Sequence, residues 1–214
     1  MNLMKRIGTY VGKQHGHPTG IVGRMVGERM IRQHVPETSW TISLLDLKME
    51  DQVLEIGFGA GRAIELVAAQ VAHGYICGID LSQEMVRSAS RRNTQAIKAG
   101  RISLCQGDVT MLSFADNIFD KVFSIQTFYF WPDPQRAMAE IFRVLKAGGT
   151  LVVTLSTGST RSIDDVGERW LRSYQTILEE QIIPGMKQLS FTTASIEQGP
   201  YSREFKTTAV VGMK

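Results

Sequence analysis

Between residues 52 and 155 the chain alternates short apolar runs with longer amphipathic ones. The runs "QVLEIG", "YICGID", "RISLCQ", "KVFSIQ" and "TLVVTL" are β-branched and apolar on both sides of the chain. That is the pattern of parallel strands covered on both faces. Residues 60–72 carry Ala63, Ile64, Val67 and Val71 on one helical stripe. Residues 82–100 read as a second helix, capped by Ser82, with Met85, Val86 and Ala89 facing inward and Gly100 at its end. A third is opened by Asp133 and Pro134. Its stripe is Ala137, Met138, Ile141, Phe142 and Leu145, and Lys146 with Gly148 and Gly149 closes it. Strands alternating with helices predict right-handed crossovers and a doubly wound sheet.

The pattern changes after Ser156. A helix is predicted over residues 164–181, with Val166, Trp170, Tyr174, Ile177 and Leu178 apolar. Two strand-like pieces follow, "KQLSFTTASIEQ" and "REFKTTAVVGMK", separated by "GPYS", where Gly199 and Pro200 are expected to make a hairpin turn. The predicted fold is α/β: a Rossmann-like, doubly wound, mostly parallel seven-stranded sheet with a C-terminal antiparallel hairpin. Upstream, Ile21, Val22, Met25, Val26 and Met30 mark an amphipathic helix behind a loop rich in glycine and histidine. One domain over residues 1–214 accounts for all of this. Residues 1–40 form an N-terminal helical lid segment, 51–155 the ligand-binding core, and 156–214 a substrate-side helix with the terminal hairpin.

Composition changes this picture little. With 214 residues, 43% of them hydrophobic, the chain can bury one substantial core. A net charge of +3 does not by itself imply a polyanionic partner. The charge is uneven, since residues 1–36 hold Lys5, Arg6, Lys13, Arg24, Arg29 and Arg32 against Glu28 alone. Cys77 and Cys105 sit in apolar stretches without metal-ligand spacing and make no disulfide framework, which points to a reducing compartment. No apolar run is long enough to cross a bilayer and none resembles a signal peptide, so a cytoplasmic protein is expected.

The candidate chemistry lies in "VLEIGFGAGR". Gly57, Gly59 and Gly61 follow a strand and open a helix, where glycine lets backbone approach a ligand. A dinucleotide fingerprint would need its third glycine at the position of Arg62, and close helix–strand packing there excludes an arginine. Glu55, at the end of the same strand, also disfavours a pyrophosphate and suits a ligand carrying an ammonium group. Asp80 ends the second strand, where an acid accepts hydrogen bonds from ribose hydroxyls. Asp108 ends the third; it can accept from an adenine amine or serve simply as a turn residue.

Taken in order and spacing, "VLEIGFGAG", "GIDLSQEM", "QGDVTMLSFADNIFD" and "FRVLKAGGTLVV" resemble the class I S-adenosylmethionine-dependent methyltransferases, most closely the ubiquinone/menaquinone-methyltransferase-like small-molecule group. The likeness covers residues 51–154. It implies that S-adenosyl-L-methionine is the cofactor, with Gly57, Gly59 and Gly61 along its methionine part and Glu55 orienting its amino group. Asp80 then takes the ribose, Leu81 and Met85 pack on adenine, and Asp108 with Val109 reads the adenine edge. Gln126 faces the methyl-transfer region. Glu55 stands where the family more often has Asp, a shorter reach.

Methyl transfer from a sulfonium disperses positive charge, so alignment in a site of low polarity contributes most and few catalytic side chains are needed. The aromatic run Phe128, Tyr129, Phe130, Trp131 follows the fourth strand, where an acceptor would meet the cofactor. Phe128 and Trp131 read better as core. Tyr129, and a general base from His15 or His17, are the candidate catalytic residues; His34 and His73 read as helix-end residues, and no histidine is spaced for a metal. A nucleic-acid substrate is the main rival, motivated by the basic N-terminus. "QTFYFWPDP" lacks the Pro-Pro-aromatic signature of the family's amino-methylating nucleic-acid enzymes. The expected partner is a small-molecule methyl acceptor of a monomer or homodimer with no membrane insertion. A cofactor-binding module without catalysis is the alternative of another class.

Overall fold

A computed structural model of the chain describes residues 35–159, 165–202 and 205–214. Helix α1 (Val35–Leu44) leads into β1 (Gln52–Ile56), α2 (Arg62–Gln70), β2 (Tyr75–Asp80), α3 (Gln83–Arg92), α4 (Thr94–Lys98) and β3 (Ile102–Gln106). Strand β4 (Phe119–Ile125), a 3-10 turn (Phe128–Phe130), α5 (Pro134–Val144) and β5 (Leu145–Ser159) follow. The C-terminal part comprises α6 (Asp165–Ile177), a π turn (Leu178–Ile182), α7 (Ile183–Gln188), β6 (Thr193–Ser202) and β7 (Phe205–Met213).

The strands form one seven-stranded sheet in the order β3-β2-β1-β4-β5-β7-β6. The first five are parallel, and β7 pairs antiparallel with both β5 and β6. The chain winds outward from β1 to β3 and then returns to the other side of β1 as β4, which opens a crevice at the carboxyl ends of β1 and β4. Two apolar cores lie on the two faces. Successive residues of β1 alternate between them, Val53 in one and Leu54 and Ile56 in the other. Glu55 follows the same alternation and puts a carboxyl among apolar residues on the α2 side.

Punctuation by caps was the most legible part of the chain. Ser82 caps α3 by accepting from Met85 N, and Asp133 caps α5 by accepting from Arg136 N. The stripe Ala63, Ile64, Val67 and Val71 is buried as expected. Three readings need correction. The helix over residues 82–100 is two, broken at Asn93; Met85 and Ala89 are buried as expected, Val86 packs half-buried against the same core, and Ser88 is buried as well. The helix over residues 164–181 stops as α-helix at Ile177 and continues through the π turn into α7, so residues 187–192 are not strand.

The third correction concerns Gly199 and Pro200. They lie inside β6 at a register shift between Gln198 and Tyr201, and β6 runs on to Ser202. Strand β6 is the sheet edge, where a proline with no N–H to donate is tolerated. Gly199 is there because Trp40 of α1 lies across the strand, and a Cβ would come 2.4 Å from its ring. Cys77 is buried but Cys105 is exposed. Among the described residues no helix is long and apolar enough to cross a membrane. The N-terminal amphipathic helix, His15, His17 and His34 lie outside the described residues.

Candidate active site

The glycine turn after β1 is fastened from several sides. Gly57 N donates to Ile79 O at 2.7 Å, and Gly59 N to Asp80 Oδ2 at 2.9 Å. Asn93 Nδ2 donates to Gly61 O and to Ala89 O, both at 3.0 Å, and Arg92 Nε donates to Ala60 O at 2.9 Å. Gly61 takes φ 78° and packs so tightly on α3 that a Cβ would stand 2.6 Å from Ala89 Cβ. A Cβ on Gly57, at φ 73°, would strike the Thr127 side chain. These glycines therefore answer both to backbone conformation and to close approach. Asn93 and Arg92 escaped the sequence reading, although Asn93 continues the Met85, Ala89 stripe by four residues.

The turn forms one wall of an open cleft at the carboxyl ends of the strands. Glu55, Gly57, Gly59, Asp80, Leu81, Met85, Asp108, Val109 and Gln126 all line it. Gly61 does not, and supports the turn from beneath. Thr38 of α1, Thr127 and Trp131 line it as well and were not expected there.

Glu55 is the group whose state depends most on a ligand. It is 3% exposed, and Oε2 finds no hydrogen-bond partner among the described residues. Burial pushes its carboxyl up to about 8, with a further push from the nearby Asp80 and a partial offset from a backbone hydrogen bond at Ile64. At neutral pH the carboxyl is mostly protonated until a cation arrives. Asp80 differs. Oδ1 accepts from Ser82 N at 2.8 Å and Oδ2 from Gly59 N at 2.9 Å. The side chain thus fixes the glycine turn to the start of α3 at the edge of the cleft. Asp108 Oδ1 accepts from Thr110 N and Thr110 Oγ1, the turn role, while the residue also borders the cleft. Val109 and Met85 are buried in the wall, and Leu81 is exposed.

Gln126 holds a left-handed backbone, φ 57°. Its amide is clamped: Nε2 donates to Ser156 Oγ at 3.0 Å, and Oε1 accepts from Tyr129 Oη at 3.0 Å. The Tyr129 hydroxyl also meets Ser156 O and the Ser156 N–H. Burial raises its pKa beyond the usual tyrosine value, and the Ser156 hydrogen bonds offset this only in part. Tyr129 does not border the cleft, and its position is that of a clamp on Gln126. Phe128 and Trp131 pack as core, their ring centroids 5.2 Å apart. Among the described residues no cluster of His, Cys, Asp or Glu could hold a metal ion.

Residues 54–153 match the family model of the methyltransferase domain. An uncharacterized methyltransferase of Bacillus subtilis, YdaC, is 29% identical over 131 residues, which are 61% of this chain and 70% of that protein. A demethylmenaquinone methyltransferase of Lactiplantibacillus plantarum is 35% identical over 116 residues, 52% of this chain and 48% of its own. This chain thus spans about half the length of the quinone enzyme. A SAM-dependent methyltransferase of Aquifex aeolicus has the same fold, with a TM-score of 0.68, 17% identity and coverage of 89% of this chain and 97% of that one.

Sheet order, switch-point cleft and glycine turn define a class I methyltransferase fold. Residues 54–153 match the methyltransferase-domain family model, and S-adenosylmethionine is the cofactor of the methyltransferase that shares this fold. The cleft fits it, since Glu55 Oε2 is a buried oxygen in want of a cation and the cofactor's methionine end carries an ammonium.

Proposed function

We propose that the protein transfers the methyl group of S-adenosylmethionine to a small, uncharged or aromatic acceptor. The observation that carries this reading is the unpartnered Glu55 carboxyl at the switch point. When bound, the cofactor supplies an electrophilic methyl on a sulfonium. Glu55 ionises to hold the ammonium, the glycine turn lies along the methionine chain, and Asp80 accepts from the ribose. Asp108 and Val109 meet the adenine edge between Leu81 and Met85. Gln126, clamped by Tyr129 and Ser156, fixes the wall beside the methyl.

On the acceptor side Ile125, Phe130, Trp131 and Pro132 give the cleft an apolar wall, with Thr38, Gln126 and Thr127 its polar members. Such a wall excludes water and aligns an apolar nucleophile, which is most of what methyl transfer requires. The N-terminal segment, residues 1–40, would serve as a lid over the acceptor, with His15 or His17 to take the acceptor's proton where it has one. The relative that acts on demethylmenaquinone supports an acceptor of this kind. Two cysteines without a disulfide framework support a cytoplasmic setting.

Calorimetry with S-adenosylmethionine and with NAD, followed by a labelled-methyl screen of metabolite extracts, tests the proposal. Binding of the first alone and a labelled product support it. NAD binding without S-adenosylmethionine binding refutes the cofactor, and cofactor binding with no labelled product leaves a non-catalytic module.

A further inference from the structure

Glu55, Asp80 and Asp108 each have a group of the cofactor to meet, but Trp131 does not. Its ring is 8% exposed, set against Phe128 and followed at once by Pro132 and the Asp133 cap of α5, so it is held firmly. The indole Nε1–H is shielded from solvent and finds no hydrogen-bond partner among the described residues. An indole nitrogen can only donate, and a buried donor without an acceptor weakens a fold. A phenylalanine would give the same apolar ring without that loss. The residue nevertheless forms part of the cleft wall, with Gln126, Phe130 and Pro132.

We propose that the Trp131 indole N–H donates a hydrogen bond to an oxygen of the methyl acceptor. The acceptor is then a planar, uncharged molecule bearing a hydroxyl or carbonyl oxygen. This rests on the methyl-transfer reading above. The charge of the cleft agrees. Among the described residues Arg62 is the one cation that lines it, and its Nη1 is paired with Glu65 Oε2 at 2.8 Å. Among the described residues a carboxylate or phosphate acceptor would find no unpaired counter-charge beside Trp131. The flat groups Phe130 and Pro132 suit a ring instead.

The test uses the full chain labelled with ¹⁵N in its indole nitrogens, of which the sequence has 3. Trp131→Phe assigns the signal; if that variant fails to fold, Trp40→Phe and Trp170→Phe assign it by elimination. S-adenosylhomocysteine is added first, then 1-naphthol or naphthalene. The expected result is a Trp131 N–H signal little changed by S-adenosylhomocysteine and moved downfield by 1-naphthol. Naphthalene, the same ring without oxygen, should not move it downfield. Trp131→Phe should bind 1-naphthol about three- to tenfold more weakly and S-adenosylhomocysteine as before. Loss of S-adenosylhomocysteine affinity in Trp131→Phe would overturn the inference and give the N–H to the cofactor's carboxylate. A Trp131 signal unmoved by 1-naphthol would overturn it too. Failure of the wild-type protein to bind S-adenosylhomocysteine at all would instead refute the methyl-transfer reading itself.

Discussion

Replacing Glu55 by Gln keeps the shape of the side chain and removes its ability to ionise. The wild-type carboxyl, pushed up to about 8, must give up its proton before it can pair with an ammonium. At pH 7 that ionisation costs about 1.4 kcal/mol, and at pH 6 about 2.7 kcal/mol. A hydrogen bond between charged groups returns about 1.5–3 kcal/mol. At pH 6 the two nearly cancel, so Glu55→Gln should bind S-adenosylmethionine about as well as the wild type. At pH 7 the wild type should gain about tenfold while the variant stays level, because an α-amino group remains protonated up to about pH 7.7. Calorimetry in buffers of differing ionisation enthalpy reads the same linkage as about one proton released per cofactor bound near pH 7. A wild-type affinity that is flat between pH 6 and pH 7, with no proton released, would refute the role given to Glu55. The same shift has a sign for stability. The folded carboxyl binds its proton more tightly than the unfolded one, whose ordinary value is 4.5. The ligand-free protein is therefore favoured below about pH 4.5 and loses stability as pH rises towards 8, at about 1.4 kcal/mol per unit within that window. Glu55→Gln should flatten that slope in thermal melts.

Asp80→Ala should weaken S-adenosylmethionine binding by about tenfold to a hundredfold in calorimetry, since it removes a ribose partner and the anchor of Gly59 N; a folded variant with unchanged affinity would misplace the ribose. Gly61→Ala should lower unfolding free energy by about 1–3 kcal/mol in a denaturant titration, from the left-handed backbone and the contact with Ala89. Removing residues 1–34, which leaves α1 and its cleft-lining Thr38 in place, should preserve cofactor affinity and reduce turnover. Full turnover after that truncation would leave the segment as packing, and salt-sensitive nucleic-acid binding lost with it would revive the nucleic-acid reading.

Local signals carried furthest where short-range chemistry decides structure. The run "YICGID" is β2 without adjustment, and the Ser82 and Asp133 caps follow from one side chain and a helix N-terminus. The glycine turn was legible because three glycines in five residues have few structural explanations. What was hidden depends on neighbours far along the chain. Asn93 interrupts its helix in order to hold Gly61, 32 residues earlier. Gly199 reads as a turn residue until Trp40 is seen lying against it. Tyr129 was a candidate catalytic residue in the aromatic run beside the acceptor, yet its hydroxyl meets Ser156, 27 residues on. Thr38 could not be placed in the cleft without knowing how α1 crosses the sheet.

Methyl transfer itself is measured by incubating the purified full chain with S-adenosylmethionine labelled in its methyl group and a fractionated extract of small metabolites. The account predicts that label moves to an uncharged, organic-extractable product in step with S-adenosylhomocysteine, and that both vanish in Asp80→Ala. Label that never leaves the cofactor, in a protein that binds it tightly, would contradict the enzyme and leave only the binding site.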